Sequence, residues 1–278
     1  MDENNNLEIE QQGEQQTGEL LPELSHTDKL VGIFVEPAKT YERIASFPPK
    51  TMDWLLPFLL LLITVIISNF VMMSDPQIKS EVTKKQLETI EKNLAEMIKE
   101  GKMTKEQAEQ QMEMIEQRME EFGSGSTGLI IQAISILVMG FIMFFVVCGV
   151  YFLLAKFVLK GDGGYSSVLV ASGLTSYISI IQVVLATILS ILLGTLIRDT
   201  SVGSLMSVNK EEFTGFLLSK LDVISIWTYL VVSIGLSRML KSSDTKKYAI
   251  LVFGLWIIWS IIVFYVSKSV PFLQNLGG

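Results

Sequence analysis

Charge-free apolar runs divide the chain. Trp54 to Met73 holds 20 residues without a charge, Gly128 to Ala155 holds 28, and Tyr165 to Ile197 holds 33. Two more follow, Val223 to Leu236 with 14 residues and Tyr248 to Ser267 with 20. A helix needs about 20 apolar residues to cross the hydrocarbon of a bilayer, so four runs suffice alone. The Val223 run reaches that length by continuing past Arg238, whose long side chain can snorkel to the interface. Open strands cannot satisfy their backbone in lipid. The pattern therefore predicts an all-α integral membrane protein with five transmembrane helices, at 53–73, 128–159, within 165–197, at 222–240 and at 248–267. The third run is too long for one upright helix. Its 33 residues would reach about 50 Å at 1.5 Å each, against a core near 30 Å. A break at "ASGLTS", residues 171 to 176, resolves this, with Tyr165 to about Ser172 lying partly at the inner interface.

The polar stretch at 74–127 has a different period. Leu87, Ile90, Leu94 and Met97 repeat at helical spacing until Gly101; Ala108, Met112, Ile115, Met119 and Phe122 form a second stripe. Thr104 and Gln107 make a capping box for the second helix, with Met103 and Ala108 as a staple. Two helices joined by a tight turn predict an extramembrane αα-hairpin with a coiled-coil seam, inserted between spans one and two. "GSGSTG" then reads as a flexible joint. The methionines suit an adaptable contact surface; the hairpin's own seam is the reading preferred over a partner groove or a homodimer.

Short amphipathic stretches flank the spans. Residues 29–52 place Ile33, Phe34, Tyr41, Ile44 and Phe47 on one side of a helix interrupted by Pro37 and ended by Pro48-Pro49. This segment is expected in the plane of the inner interface, or packed on the protein's own spans. An outer amphipathic segment, 208–221, starts at Asn209 and Glu212 and carries Phe213, Phe216, Leu217 and Leu221 on one face. Asp222 follows as an N-cap for the fourth span, where the helix dipole favours an anion, and Trp227 one turn later suits an aromatic anchor.

The charge is uneven. Residues 1–28 carry eight acids and no Lys or Arg, so that segment is −8 within a chain of net −7. Rich in Asn, Gln and Gly, it reads as a disordered acidic tail. Lacking a positive n-region it is no signal peptide, and the first span is expected to serve as an uncleaved anchor. With the N-terminus inside, the inner segments hold ten bases and the short outer ones four, which by the positive-inside rule predicts N-terminus in and C-terminus out. The 75–127 loop then lies outside despite eight bases, which twelve acids accompany.

Chemistry is sparse. One cysteine, Cys148, and one histidine, His26, leave no chain-internal disulfide and no His/Cys metal site. No ionisable residue stands at the centre of a span. The candidate intramembrane polar residues are the amides Asn69, Gln132 and Gln182, which join helices or, on a second reading, line a route. Gly140, Gly149, Gly173, Gly235 and Gly254 would permit close helix packing. No catalytic motif, cofactor loop or nucleic-acid patch appears; no cofactor is expected, and "KGDGGYSS" reads as a turn.

In order, these pieces resemble the Yip-domain membrane proteins, bacterial branch. Phe34, Pro37 and Tyr41 in "IFVEPAKTYERI" match the family's opening; Gly163, Gly164, Tyr165 and Gly173 match its glycine-rich turn. Asp222, Ser225 and Trp227 match its "D-x-x-S-x-W" start to span four, and Gly235, Arg238 and Lys241 its exit. The resemblance covers 29–74 and 128–268. It departs where "LTSYIS" lacks a proline, where Val223 follows Asp222, and where the tail lacks "D-L-Y-G-P". It implies a five-helix bundle with a cytoplasmic N-terminus in a bacterial cytoplasmic membrane. The implied role is membrane organisation or trafficking, without catalysis and without carrying over Rab-type GTPase binding. Partners are the lipid bilayer and a second copy or another membrane protein. The alternative is a passive channel or carrier for a lipid or small neutral solute, using Asn69, Gln132 and Gln182.

Overall fold

Ser25 starts the first helix. Its hydroxyl accepts the Asp28 amide at 3.1 Å while the Asp28 carboxylate takes the Ser25 amide at 3.2 Å, a capping box. The computed structural model describes residues 22–124, 126–206, 208 and 212–269, and every regular element among them is a helix. Residues 1–21 of the expected tail lie outside the described residues, as do Asn209 and position 125 of the joint. Helix α1 (His26–Val35) thus begins inside the segment expected as tail, because Ser25 and Asp28 supply a cap. Pro37 offers no N–H and its ring excludes a preceding turn, so the chain restarts as α2 (Pro37–Ala45).

Four helical stretches are long and apolar enough to cross a membrane. They are α3 (Thr51–Ser74), α6 (Ser126–Phe157, apolar from Gly128), α7 (Tyr165–Leu174) continuing into α8 (Ser176–Leu193), and α12 (Thr245–Ser269). The fifth candidate is a bent helix pair. Helix α11 (Val223–Met239) has 17 residues, about 26 Å at 1.5 Å each. It becomes a span only together with α10 (Phe213–Ser219), set 60° to it. The boundary drawn at 222–240 holds α11 and leaves the seven residues of α10 outside it.

The break in the third run falls at Thr175, whose hydroxyl bonds the Ser172 carbonyl at 2.6 Å. Helix α7 packs inside the bundle. Val168, Val170, Ala171 and Leu174 are fully covered, and α7 is wedged among α3, α6 and α11. Small residues permit this closeness: a Cβ on Gly173 would lie 2.5 Å from the Cβ of Trp54. Gly140 meets Leu62 and Gly235 meets the Tyr41 ring in the same way, whereas Gly149 and Gly254 face open space. Those two glycines do not mediate packing within the chain.

Helices α1 and α2 form a strap across one end of the bundle. Ile33, Tyr41 and Ile44 are buried in the central cluster with Val168, Leu174, Val231 and Leu236, and Phe34 packs against it. The apolar face expected in the lipid interface is thus turned onto α7 and α11. Pooling it with the core removes more apolar surface from water and headgroups than a thin interfacial layer can.

At the other end, Asp75 closes α3 and caps α4 (Pro76–Lys99), accepting the Gln77 and Ile78 amides at 2.9 and 3.0 Å. Gly101, with φ of +69°, ends the turn that follows. Thr104 and Gln107 exchange hydrogen bonds at 3.0 and 3.3 Å ahead of α5 (Lys105–Ser124). Leu94 and Ala108 are buried while Met97 stays exposed, so the Met-rich stripes are only partly covered. The flexible joint shrinks, since Ser124 closes α5 and Ser126 opens α6. A short helix, α9 (Val202–Leu205), packs on α10: a Cβ on Gly203 would meet the Ser219 amide at 2.8 Å.

Candidate functional site

Polar groups gather in two knots, one at each end of the bundle. At the strap end, Lys29 of α1 reaches Asp53 in the first turn of α3. Its Nζ lies 2.8 Å from both carboxylate oxygens. Lys29 is 3% exposed and Asp53 4%, so each charge depends on the other, because an unpaired ion in this setting is strongly disfavoured. Glu23 adds a second carboxylate to Lys29 at 3.2 Å and binds Lys50 at 2.5 Å. The Lys50 hydrogen bond holds the Glu23 carboxyl below its ordinary value, and Glu23 in return raises Lys50. His26 stands beside them, its Nε2 2.5 Å from the Tyr177 hydroxyl and its Nδ1 3.9 Å from Asp53.

Tyr41 ties the strap down from its second helix. Its hydroxyl donates to the Ala171 carbonyl at 2.7 Å, a group made available by the helix break at Thr175. Burial pushes that hydroxyl's pKa far up. Arg238 at the exit of α11 meets Glu42 at 3.1 Å. The strap is therefore latched by one aromatic, one buried ion pair and one exposed pair.

The second knot surrounds Asp222. One oxygen of this buried side chain accepts the Ile224 and Ser225 amides at 3.0 and 3.3 Å and the Thr200 hydroxyl at 3.0 Å. The other accepts the Gln182 amide at 2.5 Å and the Ser225 hydroxyl at 3.2 Å. The carboxylate caps α11 and completes the bend into α10. Gln182 stands eleven residues before the end of α8 at Leu193, about 16 Å along that helix. Five donors and the dipole of α11 compensate the charge.

The other residues singled out in the sequence are dispersed. Phe34 and Pro37 are half-buried in the strap; Gly164 precedes α7 as its N-cap with φ of −88°, an ordinary conformation. Tyr165 donates to the Phe145 carbonyl at 2.9 Å and sets its ring against Phe152. Trp227 is 37% exposed on α11, three turns from the Met239 end. Asn69 and Gln132 share an open crevice of about 850 Å³ between the hairpin root and the ends of α3 and α6, and Gln182 is not among its lining residues. The three amides do not form one route.

Sequence reasoning missed Lys29, Asp53, Glu23, His26 and Thr200. Each looks like an ordinary boundary residue, and 24 positions separate Lys29 from Asp53. One signal was available: Asp53 is an acid in the first turn of an apolar helix whose preceding segment carries the chain's only histidine.

The Yip1 domain model matches residues 31–267. No curated protein and no solved structure matches the chain.

Proposed function

Because this chain belongs to the Yip1 domain family, we propose that it is a non-enzymatic membrane scaffold that organises partner proteins within the bilayer. The observation that carries this reading is the use made of its polar groups. Asp222, Gln182 and Ser225 bond one another, and Lys29 and Asp53 bond one another. Such groups set helix positions rather than hold a reacting molecule. The strap's buried face supports partner organisation over leaflet insertion as the mode of action, since Ile33, Tyr41 and Ile44 are engaged inside the protein. By contrast α6, whose Ile134, Val138, Met139, Ile142, Val146 and Leu153 are exposed, offers a broad side to lipid, a second copy or another membrane protein. The bacterial cytoplasmic membrane, with the N-terminus inside, is the location proposed from the family resemblance and the distribution of bases.

The test is transport in liposomes. The purified chain should pass no small neutral solute above protein-free controls. Reproducible flux that Gln182→Leu abolishes would replace the scaffold with the carrier reading. Cross-linking in native membranes should capture a discrete membrane-protein partner or a second copy of the chain.

A further inference from the structure

Two lysines hold a backbone conformation that lysine rarely adopts. Lys160, shortly past the end of α6, has φ of +57°, and Lys241, shortly past the end of α11, has +55°. Among the described residues no other non-glycine residue has a positive φ. The left-handed position after a helix usually holds glycine, which takes it without the clash that a Cβ brings. Here it lets the Ser242 amide close α11 on the Ser237 carbonyl at 2.8 Å, and the Gly161 amide close α6 on the Ala155 carbonyl at 2.9 Å. The helix dipoles do not explain the choice of lysine. A cation in the last turn serves them, and Lys156 and Arg238 already stand there. The two turns adjoin, because the Asp162 amide bonds the Leu240 carbonyl at 2.9 Å. The start of α12, with Lys246, adjoins them too: a Cβ on Gly161 would lie 2.6 Å from the Tyr248 hydroxyl. Lys156, Lys160 and Lys246 are exposed and carry no ion pair among the described residues. Lys241 has Asp162 at 4.0 Å, with both side chains well exposed, and such a contact contributes little. Beneath the lysines the surface of α6 is apolar. Ile142, Val146, Gly149 and Leu153 lead at 4-3-4 spacing to Lys156, on one side of the helix. Gly149 leaves a notch in that stripe, with nothing within 4 Å of its Cβ position, and the exposed Phe157 carries the apolar surface on toward Lys160.

We propose that the strap end of α6 binds an anionic phospholipid of the surrounding leaflet. The phosphate sits at the adjoining turns of Lys160 and Lys241, with Lys156 and Lys246 flanking it. An acyl chain runs down the α6 stripe across the Gly149 notch. A soluble phosphate compound matches the lysines but leaves the stripe bare, and a neutral lipid matches the stripe but leaves the lysines unanswered. Only an anionic amphiphile satisfies both. The left-handed lysines then have a use, since glycine would close both helices with less steric cost and supply no charge. The proposal is independent of the scaffold reading and stands or falls on its own test.

The full chain, purified in a mild non-ionic detergent, is mixed with phosphatidylglycerol or phosphatidylcholine of the same chain length. Lipid retained per protein is read by native mass spectrometry. Phosphatidylglycerol should be retained in preference. Lys160→Gly with Lys241→Gly removes two charges and suits the backbone, so this variant should melt close to the parent. Each base near an anionic headgroup contributes a factor of about 5, so the double variant should retain phosphatidylglycerol about 25-fold less. Lys105→Gln, in the hairpin, should leave retention unchanged. Glycerol 3-phosphate at equal concentration should not compete. Equal retention of both lipids overturns the proposal, as does a double variant that retains phosphatidylglycerol like the parent. Competition by glycerol 3-phosphate overturns it in favour of a soluble anion site. A preference that emerges only when residues 1–21 are removed overturns it in favour of the chain's own acidic segment as the occupant. Should the glycine pair fail to fold, Lys160→Gln with Lys241→Gln, which keeps a Cβ at both turns, decides instead.

Discussion

Asp53→Asn removes one charge from a pair nearly sealed from solvent and changes the side chain's shape very little. Lys29, 3% exposed, would then be a buried cation with one remaining anionic contact, Glu23 at 3.2 Å. Removing one partner of a buried pair is destabilising by about 3–5 kcal/mol. Glu23 relieves part of this, which puts the expected loss near 3 kcal/mol. The loss should appear as strap opening, because this pair ties α1 to α3 while α3 has its own packing. A loss of about 3 kcal/mol in local opening raises amide exchange about 150-fold. Hydrogen exchange of α1 and α2 in detergent micelles should show that acceleration, with α8 and α12 unaffected. Lys29→Met with Asp53→Leu should recover most of the protection, since a buried pair replaced by apolar groups is often neutral. Unchanged protection of α1 in Asp53→Asn would refute the latch.

Three further outcomes follow from the same structure. Gly173→Val should destabilise the detergent-solubilised protein by about 3 kcal/mol or prevent monodisperse purification, because Trp54 backbone atoms lie within 3 Å of the added Cβ. Gly149→Val should be near neutral by the same thermal assay, as nothing lies within 4 Å of that Cβ position. The Glu23–Lys50 contact should respond to pH at both extremes. Glu23 is shifted below 4.5, so its contribution is present above that value and is lost as pH falls through the lowered value. Lys50 is shifted above 10.5, so its share is present below that value and is lost as pH rises through the raised one. Exchange of the first turn of α1 against pH measures both limits. For topology, a reporter fused at residue 278 should read as external and one at residue 243 as internal; the opposite pair reverses the orientation.

Elements that depend on neighbours in sequence were legible. The charge-free runs marked the long apolar helices, Thr104 and Gln107 the start of α5, Asp222 the start of α11, and "ASGLTS" the break between α7 and α8. Each is a local effect: a run long enough for the bilayer, a side chain that reaches an N–H three residues on, or small residues that weaken a helix. Other features were decided only in three dimensions. An apolar stripe such as Ile33, Tyr41 and Ile44 looks the same whether it meets lipid or protein, since both are apolar. Burial on α7 and α11 could be known only once those helices stood beside it. The glycines were equally ambiguous; Gly173 and Gly149 differ only in what lies opposite. The latch and the Asp222 knot join Lys29 to Asp53 and Gln182 to Asp222 over 24 and 40 positions. A charge or amide announces that it needs a partner when buried, but not which one, because partner choice is set by how the helices align in depth.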